Sequence, residues 1–328
     1  MRAVAKVKKA VETEDTGPLS RRDVIEAFKW ILGRAPESEE VIDQHRRLES
    51  AERLRVGLVQ SHEFASSNKF FRFGQKWVLV EVYGGSLQMW VDLHDLFVSY
   101  GCLADNYEPV ETAFIKANTP AGGVALDIGA NIGWHTLGMA RAVGSEGKVV
   151  SFEPRQPTHR YLTRTVFQNR LDNRITLHPC GLWDRDDRLH LGWSENTINP
   201  GGSFVTSHRD GMVTQAIELK RLDDLVQGKV DFIKIDVEGA EGRVMAGAAK
   251  LLGTNKPLIL AELNPSQLIK VSGMNAADFI TQMAAFGYEC WLLELGHQPR
   301  KITDFPVEIG RDLTNVVFAQ PDHKLNWA

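Results

Sequence analysis

The chain has 328 residues, 43% hydrophobic and 24% charged, with 38 Lys plus Arg against 42 Asp plus Glu and a formal net charge of −4. This suits one large α/β domain with an appendage, or two domains, and excludes global disorder, a collagen-like repeat and a disulfide scaffold. There is no basic excess of the kind a nonspecific nucleic-acid binder carries, so no nucleic-acid partner is expected. Cys102, Cys180 and Cys290 are scattered and show no CxxC or Cys/His ligand spacing, so no metal site is assigned. Unpaired cysteines and the lack of an apolar run of membrane-helix length make the cytoplasm the expected location, with no membrane span.

Residues 1–17 carry Arg2, Lys6, Lys8 and Lys9, then Glu12, Glu14 and Asp15 where a signal peptide would be apolar, and are read as a flexible tail. Residues 18–68 predict an N-terminal helical module. Ser20 caps a helix from Arg21 whose Val24, Ala27, Phe28, Ile31 and Leu32 form one apolar stripe. Gly33 stops it, Pro36–Glu40 starts a second helix, and Ser50 opens a third carrying Leu54, Leu58 and Val59. The run Trp30–Glu37, with Ser61–Phe64 later, resembles a small helical module often found beside bacterial glycan-modifying enzymes. A packing or docking element is expected there, making a protein contact or a homo-oligomer.

Residues 69–121 are read as a β-hairpin and a helical connection, because two β-prone runs, 76–83 and 86–92, flank Gly84-Gly85. From 122 to 328 apolar strands (Val124–Ile128, Lys148–Phe152, Ile175–His178, Asp231–Asp236, Leu258–Glu262) alternate with helical stretches (Gly133–Val143, Thr158–Asn169, Ala240–Leu252). That alternation predicts an α/β fold: a doubly wound, mostly parallel sheet with helices on both faces. Residues 181–219 interrupt it and are read as a polar strand pair and loop around Asn199-Pro-Gly-Gly-Ser203.

The first of these strands runs into Asp127-Ile-Gly129-Ala-Asn131-Ile-Gly133 and a helix follows at once. The glycines permit a sharp turn that leaves amides free at a helix N-terminus. The acid ahead of the turn would repel a pyrophosphate and suits a ligand with an ammonium group and a ribose; S-adenosylmethionine has both. Glu153, at the end of the next strand and followed by Pro154, is placed to accept the ribose hydroxyls. Cys180-Gly181-Leu182 follows the third strand and is expected to border the adenine. Lys234 and Asp236 lie two apart on a strand and share a face; Glu238 joins them if the backbone stays extended, and Glu262 ends the adjacent strand. Asp236 is the first choice for general base or acceptor-orienting group, with Glu238 and Glu262 next. Asn199, Gly202 and Ser203 are expected at the acceptor, and His135 to pack or to touch the cofactor's carboxylate end.

From about Trp90 to about Ala319 the chain resembles the FkbM-type S-adenosylmethionine-dependent methyltransferases. The resemblance rests on Tyr107-Glu108-Pro109, Leu126–Gly133, Phe152-Glu153-Pro154, Asn199–Ser203, Asp231–Glu241 and Ala261-Glu262. It implies a class I methyltransferase (Rossmann-like) fold and methyl transfer, usually to a hydroxyl of a sugar or natural product, with a small-molecule or glycan acceptor. Two alternatives stay open: an N-methyltransferase, or a non-catalytic scaffold that recruits a partner through the N-terminal helices.

Overall fold

Ser20, Ser38 and Ser50 each turn an extended backbone into a helix by accepting the N–H three residues on, and open α1 (Arg21–Ile31), α2 (Glu39–Arg46) and α3 (Ala51–Val59). The second helix begins after Pro36, because Ser38 supplies its cap. Leu19, Val24, Phe28, Ile42, Leu54 and Leu58 meet in the core of these helices. The computed structural model describes residues 19–48, 50–61, 63–64, 77–193, 199, 201–206, 212–294, 300–302 and 314–326. The tail expected at 1–17 lies outside the described residues. The chain divides into two compact units, Met1–Lys76 and Trp77–Ala328.

The second unit starts with a hairpin, β1 (Trp77–Val82) and β2 (Leu87–Asp92), followed by α4 (Val98–Leu103) and α5 (Pro109–Asn118). Strand–helix alternation then gives β3 (Val124–Ile128), α6 (Trp134–Val143), β4 (Lys148–Phe152), α7 (Gln156–Gln168) and β5 (Ile175–His178). Next come β6 (Gly181–Leu182), β7 (Asp187–Trp193), β8 (Phe204–Thr206), β9 (Val213–Lys220) and the short α8 (Leu222–Leu225). The alternation resumes with β10 (Phe232–Ile235), α9 (Glu241–Ala246), α10 (Ala249–Asn255), β11 (Leu258–Leu263), α11 (Pro265–Ser272) and α12 (Ala276–Ala284). It closes with β12 (Glu289–Leu293), β13 (Arg300–Ile302) and β14 (Thr314–Ala319).

The main sheet has the order β13-β12-β14-β11-β10-β3-β4-β5, parallel from β11 to β5 and antiparallel at β12, β13 and β14. From β3 the chain winds outward through β4 and β5, then returns to β10 on the other side. The boundary between β3 and β10 is therefore where strand order reverses, the place where a crevice opens in such sheets. One face packs on α9 to α12 and the second sheet, through Val244, Leu252, Phe279 and Ile217 among others. The other face packs on the hairpin and α4 to α7, through Met89, Phe114, Leu137 and Leu162.

Two local expectations are corrected. Residues 181–219 form a four-stranded sheet of order β6-β9-β7-β8. The polar reading came from its outward positions; the alternate positions Leu191, Ile217 and Leu219 are buried. The helix expected over Ala240–Leu252 is two helices. Gly247 approaches Trp183 so closely that a Cβ there would stand 2.0 Å from its carbonyl oxygen. Beyond the break, Asp223 accepts the N–H groups of Lys250 and Leu251 and starts a new helix. Among the described residues no helix is long and apolar enough to cross a membrane.

Candidate active site

β3, β4 and β10 end side by side, and the residues that follow them are Gly129, Glu153 and Asp236. The strand tips are tied: Gly129 N–H donates to the Phe152 carbonyl at 3.1 Å and Asp236 N–H to the Ile128 carbonyl at 3.0 Å. Gly129 has φ +84°, and a Cβ on it would lie 1.8 Å from the Asp236 carbonyl oxygen. Only glycine fits this turn.

A cleft opens over these tips. Its floor is Ile128 and Phe152; its roof is apolar, with Leu182 joined by Leu191, Val205, Ile217 and Leu219 from the second sheet. Of the residues chosen from sequence, Gly129, Asn131, Glu153, Pro154, Cys180, Gly181 and Leu182 line it on one side, and Ser203, Asp236 and Glu238 also reach it. Gly201 lines it as well, while Asn199 and Gly202 do not; Gly202 N–H donates to the Asn199 carbonyl and side chain, which shapes the turn that presents Ser203. Pro200 of that motif lies outside the described residues. Gly133, at φ +100°, serves as the N-cap of α6 and does not line the cleft.

Glu153 is 8% exposed. Its Oε2 accepts from Asn131 N–H at 2.9 Å and its Oε1 from Arg155 N–H at 2.8 Å. Burial outweighs these two bonds and pushes the carboxyl up to about 7. Each oxygen keeps a lone pair, so the group can still accept from a diol. Arg155 also lines the cleft and lies over the Trp193 ring at 4.7 Å. Cys180 has its thiol pushed up to about 11 by burial, which suits a packing surface rather than a nucleophile.

Asp127 is displaced from its expected place. It alternates with Leu126 and Ile128, so it faces the opposite side of the sheet from the cleft floor, fully buried, and accepts from the Thr136 hydroxyl. Its Oδ1 has no hydrogen-bond partner among the described residues. Lys234 sits beside Asp127 in register, 6% exposed, with its Nζ 3.1 Å from Asp236 Oδ2. Burial opposes the ammonium, but Asp236, then Glu108, Asp127 and Glu262, outweigh it and raise its pKa.

The backbone does not stay extended to Glu238. At φ +51° it is left-handed, and the turn is braced by Glu241, which accepts the N–H groups of Val237 and Gly239 at 3.2 Å each. Glu238 thus departs from the Lys234 face and enters the cleft. Burial, then the charge of Asp236, pushes its carboxyl up to about 7. Glu262 does not line the cleft. It lies on β11, the strand paired with β10, and burial, then Asp236 and Glu108, raise its pKa well above the carboxylate range.

His135 does not reach the cleft either. Its Nε2 is 2.6 Å from Glu108 Oε2, a carboxylate that the sequence reading assigned no role. The signal was present in Tyr107-Glu108-Pro109, an acid directly ahead of the proline that opens α5. Among the described residues no group of three or more His, Cys, Asp or Glu is arranged to hold a metal ion.

Residues 127–290, which run from the first strand tip through β10 and β11 to β12, match the Methyltransferase FkbM domain. Methyltransferase sdnD of Sordaria araneosa is 29% identical over 164 residues, 40% of this chain and 62% of that protein. Methyltransferase 1 of Beauveria bassiana (strain ARSEF 2860) is 26% identical over 159 residues, 42% of this chain and 63% of that protein. The chain thus spans less than two thirds of the length of these curated relatives. Among solved structures, the FkbM methyltransferase from Methylobacillus flagellatus KT superposes with a TM-score of 0.40 at 18% identity, covering 90% of this chain and 58% of that one. The resemblance read from the motifs is borne out by the domain match, which takes in half of the sequence: this chain belongs to the FkbM methyltransferase family.

Proposed function

We propose that this chain is an S-adenosylmethionine-dependent methyltransferase that acts on a hydroxyl of a sugar, glycan or other natural product. One observation carries the reading: a single cleft at the strand-order reversal is lined by a buried carboxylate that follows β4, Glu153, and by two that follow β10, Asp236 and Glu238. Family membership supports it. The residues present fit the cofactor. Glu153 would accept the ribose hydroxyls, Cys180, Gly181 and Leu182 would border the adenine, and Gly129 and Asn131 would border the amino-acid end.

When bound, S-adenosylmethionine supplies a methyl group already activated by its sulfonium. The chain's own residues must then orient the acceptor and take its proton. Asp236, fixed by Lys234, would orient the hydroxyl, and Ser203 would contact the acceptor from the opposite wall. Glu238 has no hydrogen-bond partner among the described residues and a carboxyl near 7, which suits a general base at neutral pH. As the acceptor's O–H bond breaks, the proton would pass to a carboxylate oxygen of Glu238 and the electron pair would stay on the acceptor oxygen, leaving it nucleophilic. A hydroxyl needs such a base; a neutral amine attacks with its lone pair before losing a proton. This difference favours oxygen over nitrogen.

The test is transfer of labelled methyl groups to a panel of sugars, glycolipids, hydroxylated metabolites and amines. Label on a hydroxyl acceptor is expected. Transfer confined to amines, or binding of cofactor without transfer to any member, would remove the reading. Glu153→Ala should fold and lose about 10–100-fold in cofactor affinity by calorimetric titration, since a hydrogen bond to a charged group contributes about 1.5–3 kcal/mol. Asp236→Asn is nearly isosteric. It should lower kcat and raise the acceptor KM while the cofactor Kd stays close to wild type, because the loss falls on acceptor orientation.

A further inference from the structure

A second pocket shares no residue with the cleft. It lies where α5 and α6 pack side by side, and Tyr83, the residue after β1, lines it with them. Tyr83 is held in place several times over. Its φ of +56° is left-handed, a conformation that a residue other than glycine keeps only where its surroundings over-determine it. Asp105 accepts the N–H groups of Tyr83 and Gly84. The Tyr83 ring stacks on Trp134 at 4.4 Å, and its hydroxyl donates to the Trp134 carbonyl at 2.7 Å. Gly138 of α6 makes room for that hydroxyl, since a Cβ there would stand 2.6 Å from its oxygen. The ring so fixed carries the Arg141 guanidinium, 5.0 Å from its centre.

The polar groups of the pocket divide into spent and unspent. Thr112 donates its hydroxyl proton to the Tyr107 carbonyl at 3.0 Å and accepts from Trp134 Nε1 at 2.9 Å, so the hydroxyl protons of both Thr112 and Tyr83 are committed. Lys116 and Arg141 also line the pocket, and neither makes an ion pair among the described residues. No acidic side chain among the described residues lines it. His135 is the third unspent group. It is 5% exposed, its Nε2 is 2.6 Å from Glu108 Oε2, and its buried Nδ1 has no hydrogen-bond partner among the described residues. A buried nitrogen left unpaired in a pocket with two uncompensated cations points to a ligand.

We propose that this pocket binds the phosphate group of a small molecule, with Lys116 and Arg141 on its oxyanion and His135 Nδ1 completing the site. The chemistry of His135 selects phosphate among anions. A carboxylate only accepts, so Nε2 carries the proton that faces Glu108. Nδ1 is then an acceptor in the neutral ring and a donor in the cation. Phosphate meets both states, through P–OH or through P–O⁻, because its second ionisation falls at about pH 6. A carboxylate ligand has no proton to give at neutral pH. Ile115 and Ala142 supply an apolar wall for an organic substituent. The site is independent of the methyl-transfer reading.

The experiment is calorimetric titration of the full chain with inorganic phosphate and with phenyl phosphate, paired with 15N NMR of histidine-labelled protein, the His135 signal being identified with His135→Gln. Saturable binding is expected, with the His135 Nδ1 resonance moving as the site fills. Tighter binding of phenyl phosphate identifies a phosphate monoester whose body lies on Ile115 and Ala142; equal or weaker binding identifies free phosphate. Lys116 and Arg141 are exposed, so their substitution leaves the core intact. Lys116→Gln and Arg141→Gln should each weaken binding about tenfold or more, the worth of a hydrogen bond to a charged group. Lys250→Gln, on α10 across the sheet, should bind as wild type does. Absence of saturable binding at millimolar concentrations of both probes overturns the inference. So does wild-type affinity in a protein carrying both Lys116→Gln and Arg141→Gln, and so does an unmoved His135 signal at saturation.

Discussion

Glu238→Gln is expected to lower kcat by about 10²–10⁴-fold, the range general-base assistance supplies, with cofactor affinity close to wild type. The amide fills the same space in the cleft but cannot take a proton. The pH profile carries the sign. Glu238 must be ionised to act, and its carboxyl is raised to about 7 by burial and by Asp236, so wild-type kcat should rise with pH through about 7 and level off above it. In the glutamine variant that limb should vanish. Stability should move the other way. A carboxyl raised in the folded state binds its proton more tightly there than in the unfolded chain, so its contribution is lost as pH rises from about 4.5 toward 7. The variant is freed of that loss and should melt higher than wild type at pH 8. Full turnover in a folded Glu238→Gln protein would show that another group takes the proton, Asp236 being next in line.

Gly129→Ala should be the most damaging small substitution in the cleft. The added Cβ would fall 1.8 Å from a backbone oxygen, that of Asp236, and no side-chain rotation relieves such a contact. The tips of β3 and β10 would have to separate, stretching the bonds from Gly129 to Phe152 and from Asp236 to Ile128. Left-handed strain of about 1–2 kcal/mol adds to about 1–3 kcal/mol of overpacking. A loss near 3 kcal/mol would lower Tm by roughly 6–12 °C in a unit of this size. The same displacement moves Glu153 and Asp236 apart, so cofactor affinity should fall even in molecules that remain folded. Calorimetry and cofactor titration on the same preparation check both. A variant with wild-type Tm would mean that the strand tips separate freely and that the close approach is not what requires glycine.

By itself the sequence determined the elements whose signals are local. The apolar runs of β3, β4 and β5 were legible to the residue, because each is short and bounded by turn residues. Ser20 and Ser50 announced their helices because a cap and the N–H that donates to it lie three residues apart. The pairing of Lys234 with Asp236 followed from strand periodicity alone. Tertiary structure decided everything that depends on which face of an element meets which neighbour. Asp127 could be counted as opposite to Ile128, but the side on which the cleft opens is set by the second sheet, whose apolar inner positions were hidden among charged outer ones. Glu238 leaves the strand face because Glu241 holds its turn left-handed. Glu108 acquires its partner His135 only when α5 packs against α6. Hydrophobic periodicity encodes the local fold, whereas a charged site is assembled from single residues whose burial and partners are properties of the packing, and no local pattern records them.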